Sequence, residues 1–186
     1  MATDRSGLVA AVALGAVGLG LLALPWLDRS RPNPLPDSFH PRVADADLLR
    51  DTLLRHDKAC KAGDLAAFAT CATAARRQSL SAQAAKLGRV FDSAALREYS
   101  ALDGGLAARF DNAFLAGQAF ASRALVAVRL HAGQDDFDLG VQLLSFEWTG
   151  TQFQLDDILF DPTLAPDDAP HIAAWMGRTL HNEVGG

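Results

Sequence analysis

The sequence predicts an α+β domain: N-terminal helices packed on a curved antiparallel sheet of about four strands, preceded by one transmembrane helix. Three observations predict it. Residues 8–27, LVAAVALGAVGLGLLALPWL, contain no charged residue. From Asp45 to about residue 102, apolar residues recur at helical spacing. Beyond Gly104-Gly105 they alternate with the period of two that strands require, and helices followed by hairpin-linked strands give an α+β domain with its helices on one face of the sheet.

The chain divides into a short tail, residues 1–7; the transmembrane helix, 8–27; a proline-rich linker, 28–44; the α+β domain, 45–162; and a C-terminal amphipathic helix with its tail, 163–186. At 1.5 Å per residue, residues 8–27 span about 30 Å, the thickness of a bilayer's hydrocarbon core. They show no polar face, and Trp26 stands where an interfacial aromatic anchor belongs. A cleaved signal peptide is the rival reading. Its basic region would hold only Arg5, offset by Asp4, and no clean small-residue cleavage site precedes Pro25. Gly7, Ala11 and Gly15 form a small-xxx-small ladder that could pack two such helices. Arg5 on one flank against Arg29 and Arg31 on the other would place the main domain in the cytoplasm. A very short tail before an apolar helix is, however, the usual form of an exported, signal-anchored protein. The expectation is a single-pass membrane protein with an extracytoplasmic domain. DRSRPNPLPDSFHP, residues 28–41, holds four prolines and reads as an extended tether.

In the domain, Leu49, Leu53, His56 and Cys60 form one stripe of an amphipathic helix, with Leu48 and Thr52 beside them. His56 is thereby placed on the buried side. Gly63 supplies a left-handed helix end and Asp64 an N-cap, so the helix stops and restarts as a tight corner. Leu65, Phe68 and Cys71 then face the first helix. Further helices are expected in residues 75–88 and 92–102, closed by Gly104-Gly105. A first strand is expected within residues 108–120. In RALVAVRLHAG, Val126, Val128 and Leu130 share one face. In DFDLGVQLLSFEW the apolar parity changes at Leu143-Leu144, which predicts a β-bulge. Thr149-Gly150 turns into TQFQLDDILFD. In the tail, Asp167 or Asp168 caps a helix whose stripe is Ile172, Trp175, Met176 and Leu180. That stripe either docks on the domain or binds a partner.

At this point the chain resembles a known family. ACKAGDLAAF, residues 59–68, resembles the first helical corner of the nuclear transport factor 2-like (NTF2-like) superfamily. VQLLSFEWTGTQFQLDDILFDP resembles that superfamily's last hairpin. The resemblance covers roughly residues 45–162. It departs from the family in residues 75–102, which read as helix where many members place an early strand. In this it resembles the membrane-anchored, VirB8-like and Mce-associated members, which are scaffold or assembly proteins. The resemblance implies a cone-shaped, cystatin-like fold whose open end can hold a small molecule, and homodimerisation across the sheet. It also implies that His56 stands where isomerase-like members carry a pocket tyrosine. The acid/base Asp of those enzymes has no counterpart, because the corresponding region reads RRQSLSAQ.

Composition narrows the classes. Hydrophobic residues make up 49% of the 186 and charged residues 21%, enough apolar surface for a packed core. The Ala- and Arg-rich, Lys-poor composition suggests a bacterial gene. Net charge is −5, and the 17 basic residues form no run. Nucleic acid, which demands clustered Lys and Arg, is therefore not an expected partner. The two cysteines, Cys60 and Cys71, form no CxxC and no zinc pattern. They are either a disulfide or two small buried helix residues. Neither a P-loop nor a dinucleotide fingerprint is present, so no cofactor is expected. Asp135-Asp136 reads most simply as a solvated turn that could meet a cation, and Asp156-Asp157 as one outward carboxylate and one that caps a helix or edges the pocket. No metal is expected at either. The pocket candidates are His56, Tyr99, Phe146 and Trp148. The expected role is non-enzymatic, an interaction or assembly module of the cell envelope with protein partners or a second copy of itself. The alternative is small-molecule binding, or an isomerase- or dehydratase-like activity, in a cone centred on His56.

Overall fold

The structure is a computed structural model that describes residues 41–103, 105–132 and 137–185. The expected tail, transmembrane helix and nearly all of the linker lie outside the described residues, as does Asp135-Asp136. Among the described residues no helix is long and apolar enough to cross a membrane.

The domain is α+β. Its described order is β1 (Arg42–Val43), α1 (Ala46–Ala62), α2 (Leu65–Cys71), α3 (Ala74–Lys86), α4 (Ser93–Asp103), α5 (Leu106–Ala113), β2 (Phe114–Phe120), β3 (Arg123–Ala132), β4 (Phe137–Trp148), β5 (Phe153–Asp161) and α6 (Ala169–Gly185). The five strands form one open antiparallel sheet in chain order, so β1 and β5 are its edges.

Local chemistry sets most helix ends. Asp45 caps α1 through the Leu48 N–H. Gly63, at φ 67°, ends that helix, and Asp64 accepts from the N–H groups of Ala66 and Ala67 to start α2. Thr73 caps α3 through Arg76 N–H. Asp168, rather than Asp167, accepts from His171 N–H at the start of α6.

Three apolar clusters hold these elements. Leu49 and Leu53 of α1 and Leu106 and Phe110 of α5 pack on Val126, Val128, Leu144, Phe146 and Leu155 of the sheet. On the opposite face, Ile172, Met176 and Leu180 of α6 pack on Leu125, Ala127, Val141 and Leu143. The third cluster joins the helices themselves, through Cys60, Phe68, Cys71, Leu80 and Leu96.

Several expectations are corrected. The helices do not all lie on one face, because α6 covers the other. This also explains Leu143-Leu144. Both are fully buried, one under each helical layer, with no slip of register between them. A strand covered on both faces has no polar parity to show. The bulge of this hairpin lies on β5, where Asp156 is the extra residue between the pairs Ser145–Asp157 and Phe146–Leu155. The sheet has five strands because the end of the presumed linker pairs with β2, Arg42 opposite Ala119 and Val43 opposite Gln118. Gly104-Gly105 does not close the helical half, since α5 follows it. Leu48 and Leu65 are both exposed, so neither joins the expected apolar faces. The sheet is open, with β1 and β5 unjoined.

Candidate functional site

The second half of α1 carries a buried polar grouping. The helical spacing turns His56, Asp57 and Cys60 inward together, and all three are buried. His56 is 1% exposed. Its ring lies against Phe68 of α2, 5.3 Å between centroids, and edge-on to Tyr99 of α4 at 6.0 Å. Its Nδ1 stands 3.3 Å from Asp57 Oδ1. A carboxylate only accepts, so Nδ1 carries the proton and donates. Cys60 Sγ is 3.8 Å from both ring nitrogens.

Asp57 has a second task. Its Oδ1 accepts from Leu106 N–H at 3.0 Å and its Oδ2 from Ala107 N–H at 2.9 Å. These are the first two N–H groups of α5, whose own N-cap, Gly105, has no side chain to offer. Asp57 therefore caps a helix some fifty residues away in sequence. Burial pushes the Asp57 carboxyl up. The bonds from His56, Ala107 and Leu106 outweigh burial and hold it below its usual range.

Cys60 and Cys71 are buried thiols and not a disulfide. Burial pushes the Cys71 thiol up to about 11. A thiol protonated at neutral pH is a poor nucleophile and a poor metal ligand.

Arg76 of α3 extends the cluster outward. Its Nη2 donates to Tyr99 Oη at 3.2 Å, and its Nη1 lies 3.5 Å from Asp157. Its Nε is buried without a partner among the described residues. On β5, Asp156 accepts from Thr73 Oγ1 at 2.6 Å and from Arg123 Nη1 at 2.5 Å. The expected split of Asp156-Asp157 thus holds in part. Asp157 is half exposed, and Asp156 ties the start of α3 to the sheet.

The four expected pocket residues do not converge. His56 and Tyr99 touch. Phe146 is fully buried in the cluster between α1, α5 and the sheet. Trp148 is 38% exposed and packs edge-on against Phe153. A cleft of about 420 Å³ lies at the other end of the sheet, lined by Arg129, Gly140, Thr163, Leu164 and Asp167 among others. None of the four lines it. Sequence reasoning missed Asp57 and Arg76. Asp57 had a signal, a carboxylate next to His56 on the buried stripe. Arg76 had none, since its partners come from β5 and α4.

Among the described residues no group of three or more His, Cys, Asp or Glu is placed to hold a metal ion. Comparison with protein-family models, curated proteins and solved structures finds no match.

Proposed function

We propose that this chain is a non-enzymatic, membrane-anchored interaction or assembly module of the bacterial cell envelope. One observation carries the non-enzymatic part. The only His–carboxylate–thiol grouping found in the described fold is sealed, and its carboxylate is engaged as the cap of α5. General acid/base work needs a group within hydrogen-bond reach of a substrate, and a residue 1% exposed offers none. The anchor rests on the uncharged residues 8–27 and the proline-rich tether after them. Confinement to a surface raises the effective concentration of the domain for partners in the same membrane. The resemblance to envelope assembly proteins of the NTF2-like superfamily points the same way.

Membrane fractions of a bacterium producing the full chain test this. The chain is expected to resist alkaline extraction, and the domain to be cut by protease added outside the inner membrane. Release by alkali would overturn the anchor. The second reading, small-molecule binding, is favoured by the 420 Å³ cleft beside Arg129, which falls within the usual size of ligand sites. A small molecule that co-purifies in native mass spectrometry, and is lost with Arg129→Ala, would favour it over the interaction module.

A further inference from the structure

The chain makes the same helix end twice, with opposite surroundings. At Gly63, Asp64 N–H bonds to Ala59 C=O and Gly63 N–H to Cys60 C=O. At Gly88, Arg89 N–H bonds to Ala84 C=O and Gly88 N–H to Ala85 C=O. Both are left-handed glycine caps that turn the chain sharply. The Gly63 corner is inside the domain, where an added β-carbon would meet Ser93 O at 2.6 Å. The Gly88 corner stands clear, with nothing within 4 Å of that position.

Residues 85–90, Ala-Lys-Leu-Gly-Arg-Val, are all exposed. Leu87 is 61% exposed and Val90 77%. The corner is nonetheless fixed. Phe91 turns inward onto Phe68 at 6.1 Å, and Arg89 pairs with Glu98 at 2.7 Å. Two apolar side chains are thus held outward by a rigid turn, with Lys86 and Arg89 on either side.

The charge around them runs against that of the molecule. Residues 74–98 hold Arg76, Arg77, Lys86, Arg89 and Arg97 against Asp92 and Glu98, the latter paired with Arg89, in a chain of net charge −5. Arg76 and Arg77 are engaged inside the fold, while Lys86, Arg89 and Arg97 reach the surface. Apolar tips with Lys86 and Arg89 next to them in the chain, and Arg97 exposed on the following helix, fit the headgroup layer of an anionic bilayer, where apolar side chains enter the acyl boundary and cations meet phosphates.

We infer that the α3–α4 corner is a second membrane contact, with Leu87 and Val90 inserted between anionic headgroups and Lys86, Arg89 and Arg97 on the phosphates. The inference extends the anchor reading, because it needs a bilayer within reach. The thirteen residues 28–40 reach about 45 Å when extended. The corner sits at the Gly63 end of α1, roughly 26 Å of helix from where the chain enters the domain.

The test uses the full chain with vesicles of phosphatidylcholine alone or mixed with phosphatidylglycerol. Val90→Trp is compared with the unsubstituted chain, so that the native tryptophans cancel. In the mixed vesicles its emission is expected to shift to the blue and to be quenched by lipids brominated near the headgroup. High salt is expected to reverse both. Emission typical of water in both vesicle types would overturn the inference. If Leu87→Asp with Val90→Asp then abolished cross-linking to a membrane protein, the corner would be a protein site. Equal quenching without phosphatidylglycerol would overturn the anionic recognition. Flotation separates this inference from the anchor. A chain that floats in high salt and with both aspartates keeps its anchor whatever the corner does. A chain that leaves the vesicles under either condition has only the corner, and the anchor reading falls.

Discussion

The carboxylate of Asp57 lies 3.0 Å from where a β-carbon on Gly105 would stand. Two distant residues therefore share one capping position: glycine leaves it vacant, and an aspartate from α1 fills it. Asp57→Asn removes the charge that suits the N-terminal end of α5 and halves the acceptors. The expected loss is about 1–2 kcal/mol of unfolding free energy, read by urea denaturation at neutral pH. The sign of the pH effect follows from a carboxyl held below its usual range when folded. Its stabilisation is full above the ordinary value of about 3.9 and disappears as pH falls through the lowered folded value. The Asn variant is expected to lose less stability than the parent across that acid limb.

Alanine in place of three left-handed glycines should rank by what surrounds them. Gly88 faces open space, so Gly88→Ala carries only the backbone strain, about 1 kcal/mol. Gly105→Ala adds a close approach to the Asp57 carboxylate and should lose more. At Gly140 a β-carbon would run into the backbone of Asp161 and Pro162, which cannot swing away. Gly140→Ala should lose the most, and a different order in thermal melts would refute this packing.

Met176 tests whether α6 belongs to the core. It is fully buried against Leu125, Ala127 and Leu143. Met176→Ala should lower stability by about 2–5 kcal/mol. A loss under half a kcal/mol would mean that α6 leaves the sheet in solution.

The two thiols should be silent in the folded chain. At pH 8, a chromogenic disulfide reagent is expected to find neither Cys60 nor Cys71, and to find both in urea. Burial and a Cys71 thiol pushed up to about 11 give the same direction. Rapid native labelling would show that the helical corner opens.

Glu183 of α6 carries the opposite pH signature to Asp57. Burial, opposed by Arg123 and reinforced by Asp156, pushes its carboxyl up. Its charged form is therefore disfavoured in the fold. Its stabilisation is full below its ordinary value and lost as pH rises through the raised one. Glu183→Gln is expected to raise the melting temperature at pH 7, with the gain fading towards pH 4.

What was legible in the sequence was what neighbouring residues decide. The Gly63-Asp64 corner, the Asp168 cap and the Ile172–Leu180 stripe are set within a few positions, and they stand where the pattern put them. Burial of both faces of β4 could not be read, because alternation distinguishes faces only when one of them is wet. The helix after Gly105 was hidden for a related reason: its cap comes from Asp57, and its own N-cap position holds Gly105 in place of Ser, Thr or Asp. Of the pocket candidates, His56 lies on the buried side of its stripe, as the helical spacing predicts, and its ring meets Tyr99. The closing of that space by Asp57, Phe68 and Cys60 depends on packing among three helices, which no single stripe reveals.

The two-residue strand β1 has a mechanical consequence. Arg42 and Val43 are zipped to the sheet's edge, and Ala44 N–H adds a bond to Gly117 C=O. A pull transmitted through Pro41 loads this short zipper first, while α1 and its buried leucines lie behind it. The zipper works as a fuse. Under such a load it is expected to peel before the body of the domain is strained, adding a few residues to the segment ahead of Ala46 and leaving the core folded.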